Sequence, residues 1–241
     1  MKLAVISDIH GNRLALDAVE ADIAHVGVDA TVNLGDLLSG PLDPLGTLDR
    51  LRERNYPTIR GNHDRWLVER TPDSMDKVDR FVANQLDAER RDWLHALPAT
   101  LVIDGEIFLC HGTPTSDTRP WLDNWWRGRD STSPDEAAVT AEAEGLDHPV
   151  ILCGHTHIAR MVRLRDGRLV VNPGAVGLQI NHGSPDARYA IVERRGGVWS
   201  ASLRAVPYDS AGAAAQAADN AFDNWSEALT SGWAGPEGLF Q

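Results

Sequence analysis

Short apolar runs rich in branched residues recur along the chain, and several of them end directly at a small polar motif. KLAVIS is followed by DIHGN, with Asn12 as a candidate helix N-cap and then apolar residues at helical spacing. The order repeats with ATVNL, a Gly/Pro-rich loop, a helix from about Pro44 to Arg54, and YPTIR as a third strand. This order is typical of parallel α/β units, so the polar motifs are expected just past the carboxyl ends of strands.

The rest of the chain divides into segments of different character. Residues 74–96 have helical periodicity, and TLVID with IFLCH predicts a hairpin; from Pro149 the pattern is all strand, with VILCG, ARMVRL, RLVVN, YAIVE and VWSASLRAV. We expect one domain over 1–205, with the acidic, Trp-rich stretch 115–148 as a cap-like insertion near the site. Residues 206–241 are expected to form an Ala-rich helix and a tail, whose last seven residues, GPEGLFQ, are given no role.

Composition excludes several classes of protein. Hydrophobic residues make up 42% and charged residues 24% of the 241 residues, which is enough apolar material for a core. The formal net charge of −12 argues against a broad nucleic-acid-binding surface. The sequence shows no membrane span and no signal peptide, so a cytoplasmic location is predicted. Cys110 and Cys153 lie in apolar runs and are expected to be buried thiols.

Five polar motifs carry the candidate chemistry. They are DIH, GD, GNHD, HG and GHTH, and they contain Asp8, His10, Asp36, Asn62, His63, Asp64, His111, His155 and His157. In the first and last motifs the ligand residues are two positions apart, so on an extended backbone both side chains would point into one cavity. Each motif alone has an ordinary structural explanation, as a turn, a cap or a packed histidine, whereas all five together indicate a functional site.

The residue types in these motifs indicate a metal site. Imidazole, carboxylate and amide oxygen ligands without thiolate favour manganese, with iron, zinc, cobalt or nickel as alternatives. Two divalent ions at about 3.5–4 Å would need a shared carboxylate. Asp36 is the candidate for that bridge, because it is the one carboxylate ligand that stands alone in its loop.

The order of the five motifs resembles that of the calcineurin-like metallophosphoesterase superfamily, over about residues 1–195. SDIHGN near the start and NPGAVG after the last histidine motif resemble its compact bacterial and archaeal phosphodiesterase branch. The resemblance implies an α/β fold, a four-layer αββα sandwich of two mixed β-sheets flanked by helices. It also implies a site for two metal ions at the edges of the sheets.

The resemblance further implies a role for each motif residue. Asp8, His10 and His157 would bind the first metal, Asn62, His111 and His155 would bind the second, and Asp36 would bridge them. His63 matches the family's non-ligand histidine, which contacts the phosphate and protonates the leaving oxygen. Serine/threonine phosphatases of this superfamily carry GDxVDRG, whereas here Ser39 replaces the supporting acid and Gly40 the phosphate-binding arginine, so a phosphoprotein phosphatase is not expected.

The function predicted from these features is hydrolysis of small phosphodiesters, including nucleotide-type esters, through in-line attack by a metal-bridging hydroxide with His63 as general acid. A phosphomonoesterase and a dinucleoside polyphosphate hydrolase are alternatives. A third alternative is a protein-binding scaffold, like the retromer subunit that resembles this family, although the ligand positions here are all occupied. Trp66, Trp125 and Trp126 are weak candidates for stacking on a nucleobase, but helical packing of Trp121 and Trp125 is the preferred explanation.

Overall fold

A computed structural model describes residues 1–126, 130–180, 183–234 and 239–240. The strands are β1 (Lys2–Ile6), β2 (Ala30–Asn33), β3 (Leu101–Ile103), β4 (Ile107–Leu109), β5 (Asn124–Trp126), β6 (Asp130–Thr132), β7 (Val150–Leu152), β8 (Arg160–Arg163), β9 (Leu169–Asn172), β10 (Ala187–Arg195) and β11 (Val198–Val206). The helices are α1 (Arg13–Val26), α2 (Pro44–Arg54), α3 (Asn62–Glu69), α4 (Lys77–Ala83), α5 (Ala88–Ala96), α6 (Glu136–Glu142), α7 (Ser210–Asp219) and α8 (Ser226–Ser231), with 3₁₀ turns at Pro72–Ser74 and Asp223–Trp225.

Two mixed sheets form the centre of the molecule. The first has the order β11-β10-β1-β2, with β1 antiparallel to β10 and parallel to β2. The second has the order β3-β4-β7-β9-β8, in which β4, β7 and β9 are parallel and the two outer strands are antiparallel. The separate pair β5-β6 is a small hairpin.

Three buried layers show how the sheets and helices stack. Leu3 and Val5 of β1 point to one side and pack with Leu152 and Val171 of the second sheet. Ala4 and Ile6 point to the other side and pack with helices α1 and α2. A third cluster, which includes Trp121 and Val139, covers the outer face of the second sheet. The four-layer sandwich expected from the sequence is therefore confirmed.

Several local predictions are also confirmed. The side chain of Asn12 accepts a hydrogen bond from the amide of Ala15 and caps α1. Helix α2 spans Pro44–Arg54 as predicted, with Asp43 as its N-cap. Both cysteines are buried free thiols, and burial raises the pKa of Cys110 far above its ordinary value. Among the described residues, no helix is both long and apolar enough to cross a membrane.

One predicted element differs from the structure, and another is divided into two parts. YPTIR is not a full strand, since only Thr58 forms a bridge, to Asn33 of β2; Pro57 has no amide to donate and contributes only its carbonyl, to the amide of Asn33. Residues 74–96 are largely helical, as predicted, with a break between α4 and α5. The break occurs because Asp87 caps the second helix by accepting a hydrogen bond from the amide of Arg90.

The segment 115–148 contains the β5-β6 hairpin and α6. The helical spacing assumed for Trp121 and Trp125 is wrong, because Trp125 lies in a strand. Trp121 is only 3% exposed, and its indole donates a hydrogen bond to the carbonyl of Val139, so packing is confirmed for this residue.

The tail helices α7 and α8 share a buried cluster with Leu178. The boundaries 1–205 and 206–241 stay predictions.

Substitution of Leu16 by alanine tests the packing of α1 on the first sheet. Leu16 is fully buried in that cluster, so Leu16→Ala is expected to lower the free energy of unfolding by about 2–5 kcal/mol. Val198→Ala is the matched control, because Val198 is 64% exposed and its loss should change stability by less than about 0.5 kcal/mol. Equal effects in urea denaturation would contradict the assigned core.

Candidate metal centre

The motif residues lie at the ends of strands and at the beginning of one helix, and they come together in one buried pocket. Asp8 and His10 follow β1, Asp36 follows β2, His111 follows β4, and the GHTH motif follows β7. Asn62 is the first residue of α3. Relative exposures are 0% for Asp8 and His10, 1% for Asp36, Asn62 and His111, and 3% for His157, whereas His155 is partly exposed. The pocket therefore concentrates acceptor atoms away from water.

The donor atoms form two groups. Asp8, His10 and His157 offer atoms that all lie within 4.8 Å of one another, and so do Asp36, His111 and His155. In the first group, Nε2 of His10 and Nε2 of His157 are 3.1 Å apart, and Oδ1 of Asp8 is 3.4 Å from Nε2 of His157. The same Asp8 oxygen is 3.9 Å from Nε2 of His111, so the two groups adjoin.

Asn62 belongs to the second group. Its side-chain oxygen lies 3.1 Å from Nε2 of His111 and faces Nδ1 of His155 at 2.9 Å. Nε2 of His111 is also 3.1 Å from Oδ2 of Asp36. In this orientation the amide oxygen of Asn62 lies beside two ring nitrogens and could serve with them as a ligand of one cation.

Backbone carbonyl groups orient the imidazole rings. Nδ1 of His10, His111 and His157 donates to the carbonyl oxygens of Ser39, Leu34 and Leu178, at 2.7, 2.7 and 2.8 Å. With Nδ1 carrying the hydrogen, Nε2 of each ring presents its lone pair to the pocket. This outer hydrogen bond fixes the tautomer that a metal ligand requires.

The ligand residues do not have the extended backbone that the two-residue spacing suggested. Asp8 and His10 have φ of 54° and 49°, and His155 and His157 have 68° and 59°. The side chains converge because the backbone is left-handed at both positions of each pair, not because of strand alternation. Asp36 is also left-handed, at φ 55°. Such residues cost on the order of 1–3 kcal/mol each and are held by surrounding hydrogen bonds.

Gly40 shows why this loop cannot carry an arginine. A Cβ atom at Gly40 would lie 1.8 Å from the carbonyl oxygen of His10, which is closer than any side chain tolerates. The preceding residue, Ser39, uses its carbonyl to orient His10. The departure from the protein-phosphatase pattern at Gly40 thus follows from the packing of this loop against the DIH motif.

Asp64 supports the pocket, a role that was not predicted from the sequence. Its carboxylate accepts hydrogen bonds from the amides of Asp36, Leu37 and Gly61, at 2.8, 2.9 and 2.9 Å. These bonds fix the loop after β2 against the start of α3. Its position in GNHD was the available signal, since an acidic residue in the first turn of a helix commonly accepts backbone amides.

The carboxylates of the pocket are buried, and they shift the pKa values of the groups around them. Burial raises the pKa of Asp8, and its Oδ1 makes no hydrogen bond to the part of the chain that the structure describes. Burial alone would lower the pKa of His111, but Asp36 and Asp8 raise it to about 10. Burial lowers the pKa of His10 and brings that of His155 to about 3, so both rings stay neutral. Neutral imidazoles beside buried carboxylates fit divalent cations.

His63 lies beside the ligand groups and has its own acidic partner. Its Nδ1 is 2.9 Å from Oδ1 of Asp79, which is fully buried on α4, and its amide donates to Oδ1 of Asp36 at 2.9 Å. Burial opposes a charged ring, but Asp36 and Asp79 raise the pKa of His63 to about 9. The acidic partner of the histidine, which Ser39 cannot provide, is therefore Asp79 on α4. No motif around Asp79 in the sequence indicates this role.

The tryptophan candidates have different outcomes. The ring of Trp66 meets the ring of His63 edge-on, with centroids 4.8 Å apart, and the guanidinium of Arg70 covers it at 3.7 Å. The side chains of Trp125 and Trp126 lie outside the described residues. Phe240, in the stretch that was given no role, contacts His63 with centroids 4.5 Å apart.

Comparison with known proteins identifies the family. The calcineurin-like phosphoesterase superfamily domain matches residues 1–197. An uncharacterized protein of Methanocaldococcus jannaschii is 26% identical over 217 residues, 80% of this chain and 83% of that protein. The crystal structure of a metallophosphoesterase from Sphaerobacter thermophilus is 25% identical and superimposes with a TM-score of 0.79, over 96% of this chain and 100% of that one. A protein provisionally described as a diadenosine tetraphosphatase is 18% identical with a TM-score of 0.52, over 84% and 93%.

The chain therefore belongs to the calcineurin-like phosphoesterase superfamily, as its motifs predicted. Membership implies a phosphoesterase, a hydrolase that uses divalent metal ions. The likeness to the diadenosine tetraphosphatase shows the shared fold alone.

Substitution of Asp64 tests the support of the pocket. Asp64→Asn replaces one acceptor oxygen by an amide group that faces backbone donors, so Mn²⁺ affinity in calorimetric titration is expected to fall about 10- to 100-fold. Asp73→Asn, an exposed carboxylate, is the control and should leave the affinity unchanged. An unchanged affinity in Asp64→Asn would show that the loop holds its shape without this residue.

Proposed function

We propose that the protein is a dinuclear metal-dependent phosphodiesterase of small, including nucleotide-type, esters. Asp8, His10 and His157 would hold one ion, Asn62, His111 and His155 the other, and Asp36 would bridge them. The convergence of the two groups carries the proposal, since each lies within 4.8 Å and they adjoin through Asp8. Manganese is the preferred ion, because these are oxygen and nitrogen donors without thiolate.

Two divalent ions in such a site activate a water molecule and neutralise the phosphate oxygens. The chain's own residues supply orientation and a proton. His63 presents Nε2 because Nδ1 donates to Asp79. With a pKa of about 9 the ring holds a proton at neutral pH, and nearby cations would lower that value toward the range in which an acid gives up its proton. Donation from Nε2 to the departing oxygen is the role proposed for His63.

Charges around the pocket support a diester over a monoester. Asp76, Asp79 and Asp117 all lie beside the site, and Arg65 is held by Asp117 through bonds of 2.6 and 2.9 Å. Burial opposes ionisation of Asp117, but Arg65 holds its pKa below the ordinary value. Arg65 is engaged by Asp117 and is therefore not positioned to balance the second negative charge of a fully ionised monoester, whereas a diester carries one charge fewer.

Metal content tests the shared carboxylate. Protein stripped with chelator and reloaded with Mn²⁺ should hold about two ions per chain, Asp36→Asn about none, and His10→Ala about one. The measurement is elemental analysis after gel filtration, with Asp73→Asn as control. If the wild type holds a single ion, or if Asp36→Asn loses only one, the bridged pair is wrong.

The leaving group tests the proton donor. His63→Ala should slow hydrolysis of an alkyl diester by about 10²–10⁴-fold and of bis(p-nitrophenyl) phosphate far less, because nitrophenolate needs little protonation. Metal content must stay unchanged. Equal losses on both esters would remove the acid role.

Asp79→Asn separates orientation from folding in the same assay. It keeps the size of the side chain but removes the charge that favours the protonated ring, so the loss should again be greater for the alkyl ester. A loss of the same size on both esters would indicate a structural role for Asp79.

A further inference from the structure

The last described residues, Leu239 and Phe240, lie on the pocket and belong to its packing. Leu239 is 6% exposed and shares a buried cluster with Leu178, whose carbonyl orients His157. The indole Nε1 of Trp225 donates a hydrogen bond to the carbonyl of Leu239 at 3.2 Å. Trp225 itself is fully buried. An apolar side chain and a backbone hydrogen bond thus hold the segment in place.

The ring of Phe240 contacts three aromatic rings. Its centroid is 4.5 Å from that of His63, with the planes tilted by 34°, and 5.4 Å from that of His10, tilted by 51°. It also meets Trp225 nearly at right angles, at 5.4 Å. These are the spacings of attractive aromatic pairs. Phe240 therefore covers the side of the pocket that the rings of His10 and His63 form.

This position conflicts with the access that a proton donor needs. The side chain of His63 is only 10% exposed, with Trp66 against another side of the ring and Asp79 on Nδ1. A general acid must come within about 3 Å of the oxygen that it protonates. While Phe240 stays on the ring of His63, a leaving group cannot occupy the same space.

We propose that Phe240 is an intramolecular competitor for the leaving-group side of the pocket and determines how readily an ester enters. The proposal rests on the proposed function only in assigning the leaving group to that side. Phe240 is held by aromatic contacts and Leu239 by one hydrogen bond and apolar packing, so displacement requires no disruption of either sheet. The apparent affinity for an ester is then the intrinsic affinity multiplied by the fraction of molecules in which the ring has moved away.

Chemical modification of His63 tests the cover without any catalytic activity. The rate of carbethoxylation by diethylpyrocarbonate, followed by mass spectrometry of the His63 peptide, is measured from pH 6 to 10 in wild type and Phe240→Ala. The modification rate reaches a plateau at high pH, where the ring is unprotonated, and this plateau reports the access of the reagent to the ring. The midpoint of the profile reports the pKa of His63. Removing the ring that covers His63 should raise the plateau about two- to tenfold.

Two further variants make the comparison specific. Trp233→Ala removes another aromatic residue of the same region, 49% exposed, and should leave the plateau unchanged. Phe240→Trp keeps an aromatic cover and should leave the ring protected. A plateau that is the same in Phe240→Ala and wild type would overturn the proposal.

Kinetics on Mn²⁺-loaded protein test the competition itself. Phe240→Ala should lower KM for bis(p-nitrophenyl) phosphate by the same factor by which it raises the modification plateau. A higher KM would show that Phe240 binds the substrate, and an unchanged KM would show that its contact with His63 does not limit entry; either result overturns the proposal. Absence of hydrolysis in every variant would instead count against the proposed function, and the modification rates would still decide the position of Phe240.

Discussion

Hydrogen bonds made by Asp36 join the three segments on which the pocket depends. Its carbonyl oxygen accepts the amides of Ile9 and His10, at 2.9 and 3.1 Å, and its Oδ1 accepts the amide of His63. Its own amide donates to Asp64. The loop after β1, the loop after β2 and the start of α3 are therefore fixed relative to one residue. The second sheet joins this arrangement where the amide of His155 donates to Oδ2 of Asp8 at 3.1 Å.

These bonds offset the cost of an unfavourable local backbone. Five of the candidate ligand residues at the ends of the sheets are left-handed, a conformation that aspartate and histidine adopt more readily than branched residues do. Left-handed residues turn the chain sharply at a strand end, so ligands two positions apart can face one point. The left-handed residues therefore lower the stability of the folded chain at the pocket. The buried carboxylates favour positive charge nearby, and they raise the pKa of His111 to about 10 and that of His63 to about 9.

Much of the fold and of the candidate site could be predicted from sequence, because both depend on local order. Strands that end in polar, glycine-containing motifs placed Asp8, Asp36 and His111 at sheet ends, where the structure has them. The reason for the convergence of His155 and His157 was wrong, since spacing reveals which residues are near but not their φ. YPTIR resembled a strand by composition, whereas its proline and edge position allow only one bridge. Asp79 and Phe240 were missed because their roles arise only from tertiary packing, with no motif around them.

His155 differs from the other three histidines of the two candidate metal groups in how its ring is oriented. It is partly exposed, and its Nε2 lies 3.1 Å from the carbonyl of Thr118, in the segment 115–148, whereas the rings of His10, His111 and His157 are oriented by carbonyls outside that segment. The segment that forms one border of the pocket thus also orients one of its donor rings. Under the proposed function, a change in the length or sequence of this segment that alters the border for another ester would also shift the ring of His155, and selectivity would then be coupled to metal binding.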